Sequence, residues 1–185
     1  MYKRQLIDLV QIVLETYKVR DGNIRLYKEN ILLKGFIKEI IEEMQPIAQK
    51  TNNTLEFIQQ RDIRVYADRI QLKRVIKNLI QNAISYGEPN FPIEVSIGEI
   101  PQYIVIKVKD YGAGISKTDI DKIFNKYYSA AKKFRKIGTG LGLYLALQII
   151  KSHNGELSVE SEEGNFTEFT IKLPAVMNIN LHYGE

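Results

Sequence analysis

Leu72, Val75, Ile76, Leu79, Ile80 and Ala83 recur at steps of 3, 1, 3, 1 and 3 residues. That spacing predicts an amphipathic helix with one apolar face, and Asp68 just ahead of it is placed as an N-cap. Tyr86-Gly87 ends the pattern. Two further helical stripes frame it. Leu33, Phe36, Ile37, Ile40, Ile41, Met44, Ile47 and Ala48 form the earlier one, with Pro46 inside it as an expected kink or interruption. Leu141 to about Ser152 forms the later one, opened by Gly138-Thr-Gly-Leu-Gly142. Between the helices lie short alternating runs. Residues 24–29 read as a strand, as do Leu55 with Phe57 and Ile63 with Val65, on either side of residues 59–62. Ile93, Val95 and Ile97 alternate, then Ile104, Ile106 and Val108. Leu157 and Val159, then Thr167, Phe169, Ile171 and Leu173, make a closing hairpin stopped by Pro174. Helices that alternate with strand pairs predict an α+β, two-layer sandwich. Its mixed or antiparallel sheet of about five strands carries three helices on one face.

A fourth stripe, Leu6, Leu9, Val10, Val13, Leu14 and Tyr17, predicts an N-terminal helical stub over residues 3–20, ended at Asp21-Gly22-Asn23. Its apolar face has no local cover and is expected to pack on a partner helix. The expected organisation is residues 1–23 as the stub, 24–175 as the main domain and 176–185 as a tail.

Composition closes off several chemistries. The 185 residues include no cysteine, which excludes a disulfide framework, a thiol nucleophile and a cysteine-built zinc site. Two histidines, His153 and His182, are too few for a histidine-rich metal centre. The net charge of +4 permits an anionic partner without requiring one. No apolar run has the length of a membrane span, and the start lacks a signal-peptide pattern, so a cytoplasmic setting is the default.

Individually, the candidate site residues each have an ordinary reading. Asp110 continues the inward alternation of its strand, where a carboxylate is costly without a partner but could accept from an exocyclic amine. Gly112 and Gly114 after it would let a flat ring approach the backbone, or simply make a turn. Asn78 and Asn82, four apart, project from one side of their helix beside the apolar stripe. They are boundary residues or they face a cavity, where an amide oxygen suits magnesium. Gly138, Gly140 and Gly142 at a helix start could cradle phosphate, or could serve close packing. They fit neither a Walker A nor a Rossmann motif. The basic run with Lys132, Lys133, Arg135 and Lys136 is a solvated loop, or a lid if phosphate is near. Thr167 on the inward face of its strand could bond a ring nitrogen or a water.

Taken in order, the motifs are far more specific. Asn-Leu-x-x-Asn-Ala, Asp-x-Gly-x-Gly-Ile, Ile-Phe-x-x-Tyr-Tyr and Gly-Thr-Gly-Leu-Gly-Leu together resemble the N, G1, F and G2 boxes of the Bergerat (GHKL) fold. The match is to the ATP-binding domain of two-component sensor histidine kinases, and runs from about residue 24 to Pro174. The resemblance implies ATP and Mg²⁺ as ligands. It assigns Asn82 to the metal, Asp110 to adenine, and Gly112 and Gly114 to the backbone beneath the base. It assigns Phe124 to the F box, Lys126 to the phosphate end, Gly138, Gly140 and Gly142 to phosphate contacts, and Thr167 to adenine's vicinity. Ile115, Tyr127, Thr139 and Leu141 fall within the same boxes, Tyr86 lies three residues past the first, and all five join the nucleotide site. Asn78 stands where hydrolysing relatives carry a water-activating glutamate, a role an amide cannot fill.

The sequence also departs from the pattern. Tyr111, Ser85 and Ser129 replace a usual asparagine and two usual basic residues, and Asn154 and Phe166 replace common glycines. The implied reaction is transfer of the γ-phosphate to a histidine outside this chain, since neither His153 nor His182 lies in a phosphoacceptor helix pattern. Implied partners are dimerisation helices, of which residues 1–23 resemble the end, and a response regulator. The parent is expected to be a homodimer, membrane-anchored or not, and this domain a monomer without nucleic acid. A GHKL-type ATPase and a nucleotide sensor without transfer activity are the alternatives.

Overall fold

The computed structural model describes residues 24–58, 62–128 and 140–175. The expectations for the N-terminal stub, the lid lysines, Gly138, Thr139, Ser129 and the tail lie outside them. The element order is β1 (Lys28–Leu32), α1 (Leu33–Gln49), β2 (Thr54–Ile58), β3 (Arg64–Asp68), α2 (Arg69–Tyr86), β4 (Pro92–Ile100), β5 (Tyr103–Asp110), α3 (Gly142–Ser152), β6 (Glu156–Glu162) and β7 (Phe166–Pro174).

The main sheet has five strands in the order β2-β4-β5-β7-β6. Only the β2–β4 pair is parallel, so the sheet is mixed. The three helices contribute their apolar stripes to one core against it. From α1 come Phe36, Ile37, Ile40 and Met44. From α2 come Leu72, Val75, Ile76, Leu79 and Ile80, and from α3 Ala146, Ile149 and Ile150. Each meets the inward residues of the strands, such as Ile93, Val95, Ile106, Val108 and Ile171. Every fully buried Leu or Ile of this kind contributes roughly 1.5–3 kcal/mol relative to an exposed one.

Three local outcomes differ from the reading of the sequence. The first strand lies at Lys28–Leu32 rather than 24–29, because Ile31 is the residue that reaches the core. Pro46 does not end α1, which runs through to Gln49. An interior proline loses a helical hydrogen bond and crowds the preceding turn, a combined cost of ~3 kcal/mol, against which works the burial of Met44 and Ala48 on either side. The strands at Leu55–Phe57 and Ile63–Val65 do not pair with each other. β2 joins the main sheet, while β3 pairs antiparallel with β1 in a separate two-stranded ribbon. Alternation specifies which face of a strand is buried, but not which strand lies beside it.

Helices α1 and α2 lie side by side, joined on their solvent face by ion pairs of Glu39 with Arg69 and Lys73 and of Glu43 with Lys73 and Lys77. Asp68 caps α2 as expected, its Oδ1 accepting from the Gln71 amide at 3.0 Å and its Oδ2 from the Tyr27 amide at 2.8 Å.

Candidate functional site

The site grows from one strand end. β5 alternates Ile104, Ile106 and Val108 into the core, and the alternation delivers Asp110 to the same face, 3% exposed. Its Oδ1 is buried without a hydrogen-bond partner. Burial pushes the carboxyl up to about 7, since the charged form has lost water and gained nothing in return. A buried acceptor left open in this way is costly, and a ligand donor would relieve it.

The residues after Asp110 leave no room for side chains. A Cβ on Gly112 would lie 2.1 Å from the Tyr86 carbonyl oxygen and 2.6 Å from the Gly87 Cα. Gly87 and Gly112 form an isolated bridge, and Ala113 N–H donates to the Tyr86 carbonyl at 3.2 Å. These contacts weld the Asp110–Gly114 turn to the end of α2. Gly114 adopts φ +62°, and its Cβ would lie 2.1 Å from the Glu162 carbonyl oxygen. The turn is therefore gripped between α2 and the β6–β7 hairpin. Ile115 N–H donates to Ser161 Oγ on that hairpin at 2.8 Å.

Helix α2 brings Asn78 and Asn82, both half-buried, to the same side. Asn78 Nδ2 is buried without a partner, a second orphaned polar atom. A Cβ on Gly142, the first residue of α3, would lie 2.4 Å from Asn78 Oδ1. The glycine at the start of α3 thus lets α3 close onto the amide of α2. Gly140, at φ +65°, packs on the backbone of Tyr127 and Tyr128, and Leu141 is buried. Phe124 packs edge-on to Phe169 with ring centres 6.5 Å apart, anchoring its segment to β7. Lys126 lies over the Tyr144 ring at 4.9 Å, on the first turn of α3. Tyr127 is 69% exposed. Thr167, 5% exposed, is paired with Asp110 across the β5–β7 register.

Asp110, Gly112, Gly114, Ile115, Tyr86 and Thr167 therefore converge at one end of the sheet, and Asn78, Leu141 and Gly142 meet where α3 begins. Sequence reasoning missed Gly87 and Ser161. Ser161 had a signal: it continues the inward series Leu157, Val159 on β6. The departures at Tyr111, Asn154 and Phe166 are absorbed. Tyr111 hydroxyl donates to Glu94 at 3.0 Å, and its ring meets Lys109 at 4.7 Å and Phe91 at 6.2 Å. Lys109 also lies over Phe166 at 4.9 Å. Asn154 takes φ +60°, a conformation asparagine tolerates better than most residues.

His153 is buried with both ring nitrogens engaged. Nε2 accepts from the Asp68 amide at 2.9 Å, so Nδ1 carries the proton and donates to the Ile149 carbonyl at 2.8 Å. Burial pulls its pKa below the ordinary range, keeping it neutral. It ties the C-terminus of α3 to the N-terminus of α2. A separate open cleft of about 620 Å³ includes Thr51, Asn53, Glu88 and Gly164 in its lining. It touches Tyr86 and Gly112 but not Asp110, Asn78 or Asn82, and its buried Asn53 amide already donates to the Glu88 and Phe91 carbonyls. Among the described residues no cluster of His, Asp or Glu could hold a metal alone, and no helix is long and apolar enough to cross a membrane.

Residues 67–177, from the strand that leads into α2 to just past β7, match the model of the histidine kinase-, DNA gyrase B- and HSP90-like ATPases. The chain belongs to this family. Within this ATPase family it is 32% identical over 176 residues to the sensor histidine kinase WalK of Bacillus subtilis (strain 168), a match covering 92% of this chain and 28% of WalK. The chain thus spans under a third of that relative's length. Its fold superposes on the catalytic domain of the histidine kinase ThkA with a TM-score of 0.72 and 28% identity, covering 81% of this chain and 97% of that one. It also superposes on ThkA in complex with the response regulator protein TrrA, with a TM-score of 0.76 and 26% identity, covering 94% and 49%.

Proposed function

We propose that this chain is the ATP-binding kinase part of a two-component sensor histidine kinase, donating the γ-phosphoryl group of ATP to a histidine on separate dimerisation helices. The observation that carries the reading is the orphaned Asp110 carboxylate oxygen in a glycine-walled turn. An adenine amine is a donor of the right kind for it, and the missing side chains at Gly112 and Gly114 let the turn pack tightly between the end of α2 and the β6–β7 hairpin, which fixes the backbone beside Asp110. Family membership and the likeness to WalK and ThkA support the same conclusion.

In this reading Asp110 holds the base and α2 presents Asn82 to the metal. Magnesium, when bound, would neutralise phosphate charge and orient the terminal phosphate. The chain's own contribution is positioning. Asn78 has no basicity with which to activate water, so ATP is held for an external acceptor. The P–O bond to the β-phosphate then breaks as a P–N bond to imidazole forms. ADP leaves, and the imidazole proton passes to solvent. Imidazole is itself a competent nucleophile, and the domain need supply no strong base. Lys126, with Lys132, Lys133, Arg135 and Lys136 of the basic loop, would neutralise phosphate charge. The response regulator downstream and a cytoplasmic setting, where ATP is abundant, follow from the same reading.

The deciding experiment mixes this chain with γ-³²P-ATP and candidate phosphoacceptor helices. Acid-labile, alkali-stable label on the acceptor is the expected result. Rapid release of free phosphate without an acceptor would instead point to an ATPase. A second expected result concerns the metal: Asn82→Ala should abolish the magnesium dependence of ATP binding in calorimetric titrations. An unchanged dependence would place the metal elsewhere.

A further inference from the structure

Asp110, Thr167 and Ser161 form a row across three adjacent strands. Asp110 on β5 pairs with Thr167 on β7, and Thr167 pairs with Ser161 on β6. Directly opposed residues of antiparallel strands place their side chains on the same face. Here it is the helix-covered face, where Asp110 and Thr167 are buried.

Ser161 Oγ has three partners. The Ile115 amide donates to it at 2.8 Å, it donates to the Phe166 carbonyl at 2.6 Å, and Thr167 Oγ1 lies 3.1 Å away. A hydroxyl has one proton and two lone pairs. The Phe166 carbonyl can only accept, so the Ser161 proton goes there. Both Ser161 lone pairs then accept, one from the Ile115 amide and one from the Thr167 hydroxyl. Thr167's only proton is thereby committed to Ser161, and its oxygen has nothing but lone pairs to offer a ligand. Beside it, Asp110 Oδ1 is a buried acceptor without a donor.

We propose that Ser161 is a positioning residue for base selection: by holding the Thr167 proton it leaves Thr167, like the ionised Asp110 beside it, able only to accept from the base. Such a subsite selects a purine bearing an exocyclic amine over one bearing an oxo group at the same position. The inference rests on the nucleotide-binding reading above and extends it to a residue outside the four sequence boxes. An amine brings donors to both acceptors. An oxo group brings a third acceptor; with Asp110 ionised and the Thr167 proton committed to Ser161, neither group can donate to it, and buried polar atoms are left unpaired. The same hydroxyl fastens the Ile115 end of the glycine turn to the β6–β7 hairpin, so the selecting group and the turn that seats the base are held by one atom.

The test is calorimetric titration of the full chain with ADP and with IDP, whose base carries an oxo group where adenine carries the amine. Wild type should prefer ADP by at least about thirtyfold. Ser161→Ala frees the Thr167 hydroxyl to rotate and donate, so the ADP/IDP preference should fall by about tenfold, mostly through tighter IDP binding, while ADP affinity falls only a few-fold. Ser161→Thr restores a hydroxyl on a β-branched side chain suited to a strand, and should restore the preference. Retained ADP binding shows that the variants are folded. An unchanged ADP/IDP ratio in Ser161→Ala, or no recovery in Ser161→Thr, would overturn the proposal while leaving nucleotide binding intact. A wild-type chain that binds no ADP would overturn the functional reading and this inference with it.

Discussion

Asp110→Asn is expected to weaken ADP binding by about a hundredfold or more, because it replaces a charged acceptor with an amide that can present a donor to the base amine. Retained micromolar affinity in calorimetry would remove Asp110 from the base subsite. The same substitution should make the unliganded protein more stable at high pH. Burial raises the Asp110 carboxyl from an ordinary 3.8 to about 7. The ionised form is therefore disfavoured in the folded chain relative to the unfolded one. Below about pH 4 the group is protonated in both states and carries no penalty. As pH rises from 4 to 7 the unfolded chain ionises first, and stability falls. Above 7 the full penalty is present, on the order of 4 kcal/mol. Asparagine does not titrate, so Asp110→Asn should unfold at a higher temperature than wild type at pH 8, with the gap closing towards pH 4. Loss of binding with gain of stability is a pairing that damage to the fold could not produce.

Gly114→Ala is expected to destabilise the protein by on the order of 3 kcal/mol. Two effects add. The residue sits at φ +62°, which a Cβ disfavours, and that Cβ would lie 2.1 Å from the Glu162 carbonyl oxygen and 2.8 Å from the Glu163 Cα, both backbone atoms. Neither can swing away as a flexible side chain would, so the glycine turn has to separate from the hairpin. The melting temperature should fall by roughly 6–12 °C, and ADP affinity should fall with it, since the turn seats the base. Gly164→Ala separates the two effects. Gly164 has φ +79° but nothing within 4 Å of its Cβ position, so only the conformational cost of about 1 kcal/mol applies. Equal losses at the two positions would show that the contact with Glu162 contributes nothing.

The sequence by itself determined the three helices, their buried faces and the inward placement of Asp110. These follow from period: 3.6 residues for α1, α2 and α3, and 2 for β5 and β7, where a run of Ile and Val carries the aspartate inward in step. The Asp68 cap was legible for the same reason, since capping is decided within four residues. The candidate site residues came from the resemblance of four ordered motifs to the boxes of a known family, and periodicity alone left each of them with an ordinary reading.

Only the tertiary structure decided what is set by contacts between distant segments. β2 and β3 have similar alternation, yet one enters the main sheet beside β4 and the other leaves it to pair with β1. Pro46 reads as a kink or an interruption; it does not interrupt the helix, whose nearby residues Met44 and Ala48 are buried. The glycines at 112, 114 and 142 each read in sequence as a ligand approach or as plain turn and packing residues. Each is required by a different neighbour, the Tyr86 carbonyl, the Glu162 carbonyl and the Asn78 amide. The direction of the Thr167 hydroxyl is the furthest from the sequence of all. It depends on placing three protons, those of the Ser161 and Thr167 hydroxyls and the Ile115 amide, around Ser161 and the Phe166 carbonyl, groups that come together only when β6, β7 and the glycine turn have packed.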